Sequence, residues 1–162
     1  MKTNKIVVGL IEKDGQVIFI LRLKEPFKGT LILPGGKVKE RETLDEALQR
    51  EILEETGLHI KSYLEVGYYD EKVYHQAEAT HRHLIYLYHI PTDSLECRGS
   101  DEGDIHILSR QEILSRKREI NPSDYRMLER VLFQGQRKFR AEIRMELLNG
   151  AYHIVSETDL ES

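Results

Sequence analysis

The 162-residue sequence contains a single cysteine, Cys97, and no tryptophan. One cysteine excludes an intramolecular disulfide and a cysteine-rich zinc site, and it is typical of a protein from a reducing compartment. The apolar run IVVGLI at 6–11 is far too short to span a membrane, and it lacks the layout of a signal peptide. We therefore expect a cytoplasmic protein that has no membrane partner.

Charge of one sign is not in large excess either. The chain has 24 lysines and arginines against 28 aspartates and glutamates, which gives a formal net charge of -4. Such a chain lacks a broad positive field, so we do not expect a polynucleotide partner, and a small anionic ligand would need a specific site. With 40% hydrophobic residues and no visible repeat, residues 1–162 are expected to form a single domain.

Strand and helix patterns are mixed along the chain. Two capping boxes, Thr43 to Glu46 and Ser109 to Glu112, indicate helix starts, and Gly57 is suited to end the first helix, which is predicted over 44–56. The segment NPSDYRMLERVLF predicts a further helix with one buried face. Short runs rich in β-formers predict strands at 5–13, 16–24, 30–33, 59–66, 83–90 and 104–108.

The C-terminal segment 136–162 predicts a β-hairpin extension. KFRAEIRMEL at 138–147 alternates apolar and charged residues, and Asn149-Gly150 suits a type I′ turn. Because an isolated hairpin is marginal in water, its apolar face should pack on the domain or on a second subunit, so a homodimer is a possible partner. The other face carries Lys138, Arg140 and Arg144, which would suit nucleic acid, but interleaved glutamates dilute that charge and favour dimerisation or sheet extension.

Three carboxylates crowd the end of the 44–56 helix, at Glu51, Glu54 and Glu55. Like charges at this spacing repel, and the negative end of the helix dipole adds to that repulsion. A solvated charged helix is one interpretation, but Glu55 projects into the apolar stripe and the other two lie at its edge. Arg50 alone cannot neutralise three acids, whereas Mg²⁺ or Mn²⁺ can, and either would bring a phosphate compound as substrate.

Residues 36–58, GKVKERETLDEALQREILEETGL, resemble the Nudix box of the Nudix (MutT-like) hydrolase family. The family pattern G-x5-E-x7-R-E-U-x-E-E-x-G-U, where U is a bulky aliphatic residue, is matched at every fixed position, and LPGG precedes it. The resemblance implies an α/β/α sandwich with a mixed sheet. It also implies Mg²⁺-dependent hydrolysis of a nucleoside diphosphate linked to another group. The matching positions are Gly36, Glu42, Arg50, Glu51, Ile52, Glu54, Glu55, Gly57 and Leu58.

The same resemblance implies roles for the charged residues of the box. Glu51, Glu54 and Glu55 correspond to metal ligands, and Glu54 or Glu55 could also accept the proton of the attacking water. Arg50 corresponds to the residue that orients a glutamate. Glu42 is a candidate accessory or water-mediated ligand.

Substrate contacts are expected from residues around the box. Gly35 and Gly36 provide a loop at its entrance, and Arg22 lies where the family often has an arginine that meets a phosphate, although a salt bridge on the sheet is the alternative. Tyr74 follows the box at a spacing that resembles the dinucleoside polyphosphate hydrolases of the family, and it is a candidate for stacking on a base.

Glu102, in the acidic loop SDEGD, is a candidate for an additional catalytic carboxylate, with Asp101 as the alternative in the same loop. A catalytically silent Nudix-like domain that binds a nucleotide as a regulator is a rival interpretation of the whole chain. The intact acids of the box argue against that rival, because a regulator has no need of them.

Overall fold

A single mixed β-sheet runs through the protein and carries helices on both faces. The computed structural model describes residues 1–100 and 103–160. Within them the strands are β1 (Lys2–Lys13), β2 (Gln16–Leu21), β3 (Leu31–Ile32), β4 (Gly35–Lys37), β5 (Leu64–His75), β6 (Glu78–Pro91), β7 (Ile105–Leu108), β8 (Phe139–Leu148) and β9 (Ala151–Asp159). The helices are α1 (Leu44–Thr56), α2 (Arg110–Ser115) and α3 (Pro122–Leu128), with a 3₁₀ turn at Lys117–Glu119 and a π-helical turn at Glu129–Phe133.

The strands follow the order β3-β2-β1-β6-β5-β8-β9, with β4 paired to β1 and β7 paired to β2. The β1–β6 and β5–β8 pairs are parallel, and the other pairs are antiparallel. The predicted mixed sheet is confirmed. No helix among the described residues is both long and apolar enough to cross a bilayer.

Each face of the sheet has its own apolar core. On one face α1 packs through Ala47, Leu48 and Ile52 against side chains of β1, β2 and β6. On the other face α2 and α3 cover the larger cluster, to which they contribute Ile113, Tyr125, Met127 and Leu128. This arrangement confirms the α/β/α sandwich.

Helix α1 has the bounds that its sequence predicts. Thr43 and Glu46 form both hydrogen bonds of the capping box, and Gly57 adopts the left-handed conformation at φ 77°. The second capping box, from Ser109 to Glu112, starts α2 in the same way. The predicted C-terminal half of the third helix differs, because regular α-helix ends at Leu128 and a π-helical turn follows.

The strand predicted at 59–66 is wrong. Residues 57–63 are irregular, and β5 starts at Leu64 and continues to His75. It turns into β6 through Gln76 and Ala77, which both have positive φ. The prediction failed because β5 carries buried charged residues, Asp70 and Glu71, where an apolar pattern is expected.

The C-terminal hairpin is an integral part of the sheet, since β8 pairs with β5 along eight positions from Gly67↔Phe139 to Tyr74↔Glu146. Its predicted apolar face is buried against the domain at Phe139, Ala141, Ile143 and Met145. Strand β9 is tied to the helical turn after α3, where Arg130 donates to Glu157 and Asp159. At its other end, Tyr152 packs against Phe27 with ring centres 4.3 Å apart.

Candidate active site

Arg50 distributes its guanidinium N–H groups among the acidic side chains around α1. Its Nε and Nη2 donate to the two oxygens of Glu42 at 2.6 and 2.9 Å, and Nη1 donates to Glu51 at 2.8 Å. A longer contact of 3.4 Å joins Nη1 to Glu54, whose side chain is 56% exposed. One cation therefore serves three carboxylates, through a planar fork that a lysine cannot reproduce.

Glu42 is fully engaged by these contacts. Besides Arg50, its Oε1 accepts a hydrogen bond from the Lys39 N–H at 2.8 Å. The Arg50 hydrogen bonds, followed by that of Lys39, lower the pKa of Glu42 to about 2. Glu42 is thus placed to orient Arg50, and the accessory metal-ligand role expected for it stays a prediction.

Glu51 and Glu55 lie one turn apart on α1, against the Gly35-Gly36 segment. Glu55 is 2% exposed, and its Oε1 accepts a hydrogen bond from the Gly35 N–H at 3.2 Å. A Cβ on Gly36 would lie 2.4 Å from the carboxyl carbon of Glu51, so the glycine leaves the room that this carboxylate occupies. Burial raises the pKa of Glu51, although its hydrogen bond with Arg50 acts in the opposite direction.

The donor set on this turn fits a hard divalent cation. Within residues 1–100 and 103–160, no three acidic, imidazole or thiol side chains already converge in a coordination shell. Glu51 and Glu55 nevertheless lie one turn apart against the Gly35-Gly36 segment, which brings their two carboxyl groups to the same side of α1. A cation can neutralise such a pair, and the exposed Glu54 on the same turn can add a third carboxylate.

A cleft of about 370 Å³ is lined by Gly35 and Gly36, which contact Glu55 and Glu51, although the glutamates of α1 are not themselves among its lining residues. Its other walls come from β1, β3, β6, the segment between β2 and β3, and the start of α3. A cleft of this volume suits a small-molecule ligand.

The buried lining of the cleft is partly apolar, at Val8, Phe27, Leu33 and Ile85, and partly polar. Its polar part, which we call the floor, consists of Glu71, His83, Asn121, Ser123 and Asp124. Asp124 accepts a hydrogen bond from the Leu33 N–H at 2.9 Å, and burial raises its pKa to about 7, with a further upward contribution from the charge of Glu71. Asn121 Oδ1 accepts hydrogen bonds from Ser123 N, Ser123 Oγ and Asp124 N, so its amide nitrogen remains to donate elsewhere.

The less buried lining is mixed and includes Glu25, and its basic part, which we call the rim, comprises Lys2, Lys37 and His81. Burial first, and then the charges of His83, Lys37 and Lys2, lower the pKa of His81. The cleft therefore combines a cationic rim next to Gly36 with an acidic floor, a polarity that suits a ligand with an anionic end and a neutral end.

Arg22 also lines the cleft, as its sequence position predicts. Its Nε donates to the backbone carbonyls of Pro26 at 2.6 Å and Lys24 at 2.9 Å, so part of the guanidinium shapes its own loop.

Tyr74 is not brought to the cleft. It lies in a separate shallow groove on β5, with the Arg144 guanidinium carbon 3.7 Å from its ring centre. Glu102 and the alternative Asp101 lie outside the described residues.

Sequence reasoning missed the floor of the cleft. The NPSD segment predicts only a helix start, and Asn121 is the N-cap of α3. The burial of Asp124 depends on a contact with Leu33, distant in sequence, which no local pattern shows. A glutamate inside a strand, as at Glu71, is the one signal that could have indicated a functional position.

Comparisons with known proteins agree with this geometry. The NUDIX domain family model matches residues 2–131. A mutator MutT protein from Bacillus halodurans has a similar structure, with a TM-score of 0.80, 18% identity and coverage of 96% of this chain and 97% of that one. At that level of identity the likeness concerns the fold.

Two curated relatives match shorter stretches. An ADP-ribose pyrophosphatase from Methanocaldococcus jannaschii is 53% identical over 62 residues, which are 37% of this chain and 37% of the relative. An 8-oxo-dGTP diphosphatase from Buchnera aphidicola is 43% identical over 61 residues, 37% of this chain and 47% of that protein. The matched stretches thus span less than half of either relative.

Proposed function

The chain belongs to the Nudix family, and from this membership we propose that it is a pyrophosphohydrolase that cleaves the diphosphate linkage of a nucleoside diphosphate derivative. The observation that carries the proposal is the position of Glu51 and Glu55, two paired carboxylates at the Gly35-Gly36 wall of the cleft. Water attack on a phosphorus of the diphosphate would occur at this wall. We propose that residues 1–162 form a single hydrolase domain, of which the hairpin is a part.

We further propose that Glu51, Glu54 and Glu55 hold Mg²⁺, with Mn²⁺ as a substitute. The bound cation would neutralise phosphate charge and acidify a water molecule. Arg50 fixes Glu51 from one side and is itself fixed by Glu42, so the first carboxylate is held in place before the cation binds. This preorganisation explains why the box keeps an arginine between acids that would otherwise repel one another.

The cleft would bind the substrate with its phosphates towards the rim and its nucleoside on the floor. Lys2 and Lys37 are the cationic groups of the rim, and Arg22 can add a further contact. The acidic floor would repel phosphate, which leaves it for the neutral base. Tyr74 lies outside the cleft, so base stacking by Tyr74 would require a substrate that extends beyond it.

The general base has three candidates. Glu54 is exposed and Glu55 buried on the same turn, and Glu102 is proposed from its sequence position alone. Loss of a general base should lower kcat by about 10²- to 10⁴-fold with little change in KM. Glu54→Gln, Glu55→Gln and Glu102→Gln are compared by that split at saturating Mg²⁺, and the base is the residue whose loss lowers kcat with little change in metal affinity. A loss confined to KM would make Glu102 a substrate contact.

The relatives' names give two directions for the substrate, ADP-ribose and 8-oxo-dGTP, and both compounds are nucleoside diphosphate derivatives. We propose that the substrate is a nucleoside diphosphate derivative. The group attached to its diphosphate is to be identified by experiment. We also propose a cytoplasmic location, with Cys97 consistent with a reducing compartment, and a homodimer as an expectation to be tested by mass in solution.

The deciding experiment is a screen of nucleoside diphosphate derivatives with Mg²⁺, with products identified by mass spectrometry in isotope-labelled water. Hydrolysis should disappear with a chelator and return with Mg²⁺ or Mn²⁺. Glu55→Gln should remove most turnover while the fold is kept, and Glu40→Gln, at an exposed glutamate before α1, is the matched control. Binding without any turnover across the screen would favour the silent nucleotide-binding regulator instead.

A further inference from the structure

Glu71 is a buried carboxylate on β5 whose hydrogen bonding is incomplete. The residue is 1% exposed and lines the floor of the cleft. Its Oε1 contacts His83 Nδ1 at 2.8 Å, from the neighbouring strand β6. Its Oε2 is buried and has no hydrogen-bond partner among the residues that the structure describes. Buried polar atoms in proteins are nearly always paired, so an orphaned carboxylate oxygen beside a cleft indicates a missing donor.

No donor among the described residues reaches Glu71 Oε2. Its cross-strand neighbours are His83 on β6, already used at Oε1, and Ile143 on β8, which is apolar. The other carboxyl group of the floor, Asp124, is an acid whose pKa the charge of Glu71 raises. Asp124 itself accepts a hydrogen bond from the Leu33 N–H. Because Glu71 lines the cleft, a molecule bound there can supply the donor for Oε2.

The chemistry of that donor is restricted by charge. A phosphate next to two buried carboxyl groups would be repelled, so the anionic part of a ligand belongs at the rim with Lys2 and Lys37. The part on the floor must be neutral and must carry a hydrogen-bond donor, either N–H or O–H. An exocyclic amino group has two N–H donors, which suits a floor with two carboxyl groups.

We propose that Glu71 is a specificity-determining residue: its Oε2 accepts a hydrogen bond from the exocyclic amino group of the substrate base, and His83 fixes the orientation of the carboxylate. The inference rests on the proposed function, because it takes the cleft as the nucleoside site. Glu71 would extend that function, because it would favour substrates whose base carries an amino group over substrates whose base does not. A site built to pair with a polar group rejects the analogue that lacks it, since its own buried group is then left unpaired.

The test uses binding of nucleoside monophosphates, which contain no diphosphate bond to hydrolyse. Three pairs differ only in the exocyclic amino group of the base: adenosine and purine riboside, guanosine and inosine, cytidine and pyrimidin-2-one riboside, all as 5′-monophosphates. The wild type should bind the amino member of at least one pair about 10- to 100-fold more tightly, as expected for a hydrogen bond to a charged group. Isothermal titration calorimetry measures each ratio.

Glu71→Met should reduce that ratio to within about twofold, because it removes the acceptor and keeps an unbranched side chain of similar length. The double variant Glu71→Met/His83→Leu leaves neither partner unpaired, and it keeps the test valid if the single variant does not fold. Glu65→Gln, at an exposed glutamate on the same strand, is the matched control and should keep the wild-type ratio.

Ratios near one for all three pairs in the wild type, or a ratio that survives in a folded Glu71 variant, would overturn the inference. A separate hydrolysis assay shows which idea has failed. Turnover of a nucleoside diphosphate derivative without amino discrimination removes the role of Glu71 alone. No binding of any of the six compounds, together with no turnover, removes the proposed function as well.

Discussion

Both oxygens of Glu42 accept hydrogen bonds from Arg50, at 2.6 and 2.9 Å, and this two-point contact holds the arginine that reaches Glu51. Glu42 precedes α1 and Arg50 lies within it, so the contact also ties the loop that follows Gly36 to the helix. If Glu42 or Arg50 were misoriented, Glu51 would be misoriented as well, because Arg50 holds it in place.

Glu42→Gln should make the protein less sensitive to acid. The folded-state pKa of Glu42 is about 2, well below its usual range, so its contribution to stability is present at neutral pH and is lost as the pH falls towards that value. The difference in unfolding free energy between wild type and variant should therefore shrink between about pH 5 and pH 2. Urea unfolding at a series of pH values measures it, with Glu40→Gln as control.

Gly36→Ala should abolish most turnover while the protein stays folded. The three atoms nearest to its Cβ would all belong to the side chain of Glu51, with the carboxyl carbon at 2.4 Å, and a side chain can rotate away. Gly35→Ala should instead destabilise the fold, because its Cβ would lie 2.1 Å from the backbone oxygen of Val7. Kinetics and thermal melting of the two variants separate these outcomes, and equal Tm losses would show that Gly36 is structural.

Asp124→Asn should remove a decline in stability at rising pH. Burial raises the pKa of Asp124 from 3.8 to about 7, so the folded state holds this proton more tightly than the unfolded state. The resulting stabilisation is complete below about pH 4 and is lost as the pH rises through 7, by up to a few kcal/mol. Urea unfolding from pH 4 to pH 8 should show this loss in the wild type and in the exposed control Asp93→Asn, but not in Asp124→Asn.

Arg130→Ala should destabilise the protein by about 3 kcal/mol, because it leaves Glu157 with one arginine partner in place of two in a largely buried network. Arg130 is 4% exposed and also lies 5.0 Å from the ring centre of Phe139. Arg116→Ala removes an arginine that pairs with Glu119 on the surface, and it should change stability by less than about 1 kcal/mol. Similar values for the two variants would show that the network at β9 does not hold the hairpin.

The contrast between α1 and β5 shows which structure local sequence can predict. The bounds of α1 were predictable because the capping box and Gly57 act within a few residues of the helix ends. In β5, Asp70 accepts a hydrogen bond from Arg82, and Glu71 is hydrogen-bonded to His83. Both partners lie on the neighbouring strand β6. That pairing depends on the β5–β6 register, which no local pattern reports.

The candidate site likewise contains residues that local sequence predicts and residues that it does not. Its acidic turn was predictable, because Arg50, Glu51, Glu54 and Glu55 share one helix and a dense motif. The cleft was not, since Glu71 and Asp124 reach it from β5 and α3 and meet only in the folded chain. A motif therefore located the proposed chemistry, whereas the residues that would choose the substrate required tertiary structure.

The parallel pairing of β5 with β8 affects synthesis on the ribosome. Until residues 139–148 have emerged, β5 is an edge strand, and its unpaired backbone groups and the apolar core side chains beside it are exposed to other chains. Because β1 must likewise wait for β6, the sheet is assembled from long-range contacts and closes late. A nascent chain stalled before Phe139 would be a target for chaperones and prone to aggregation through that open edge.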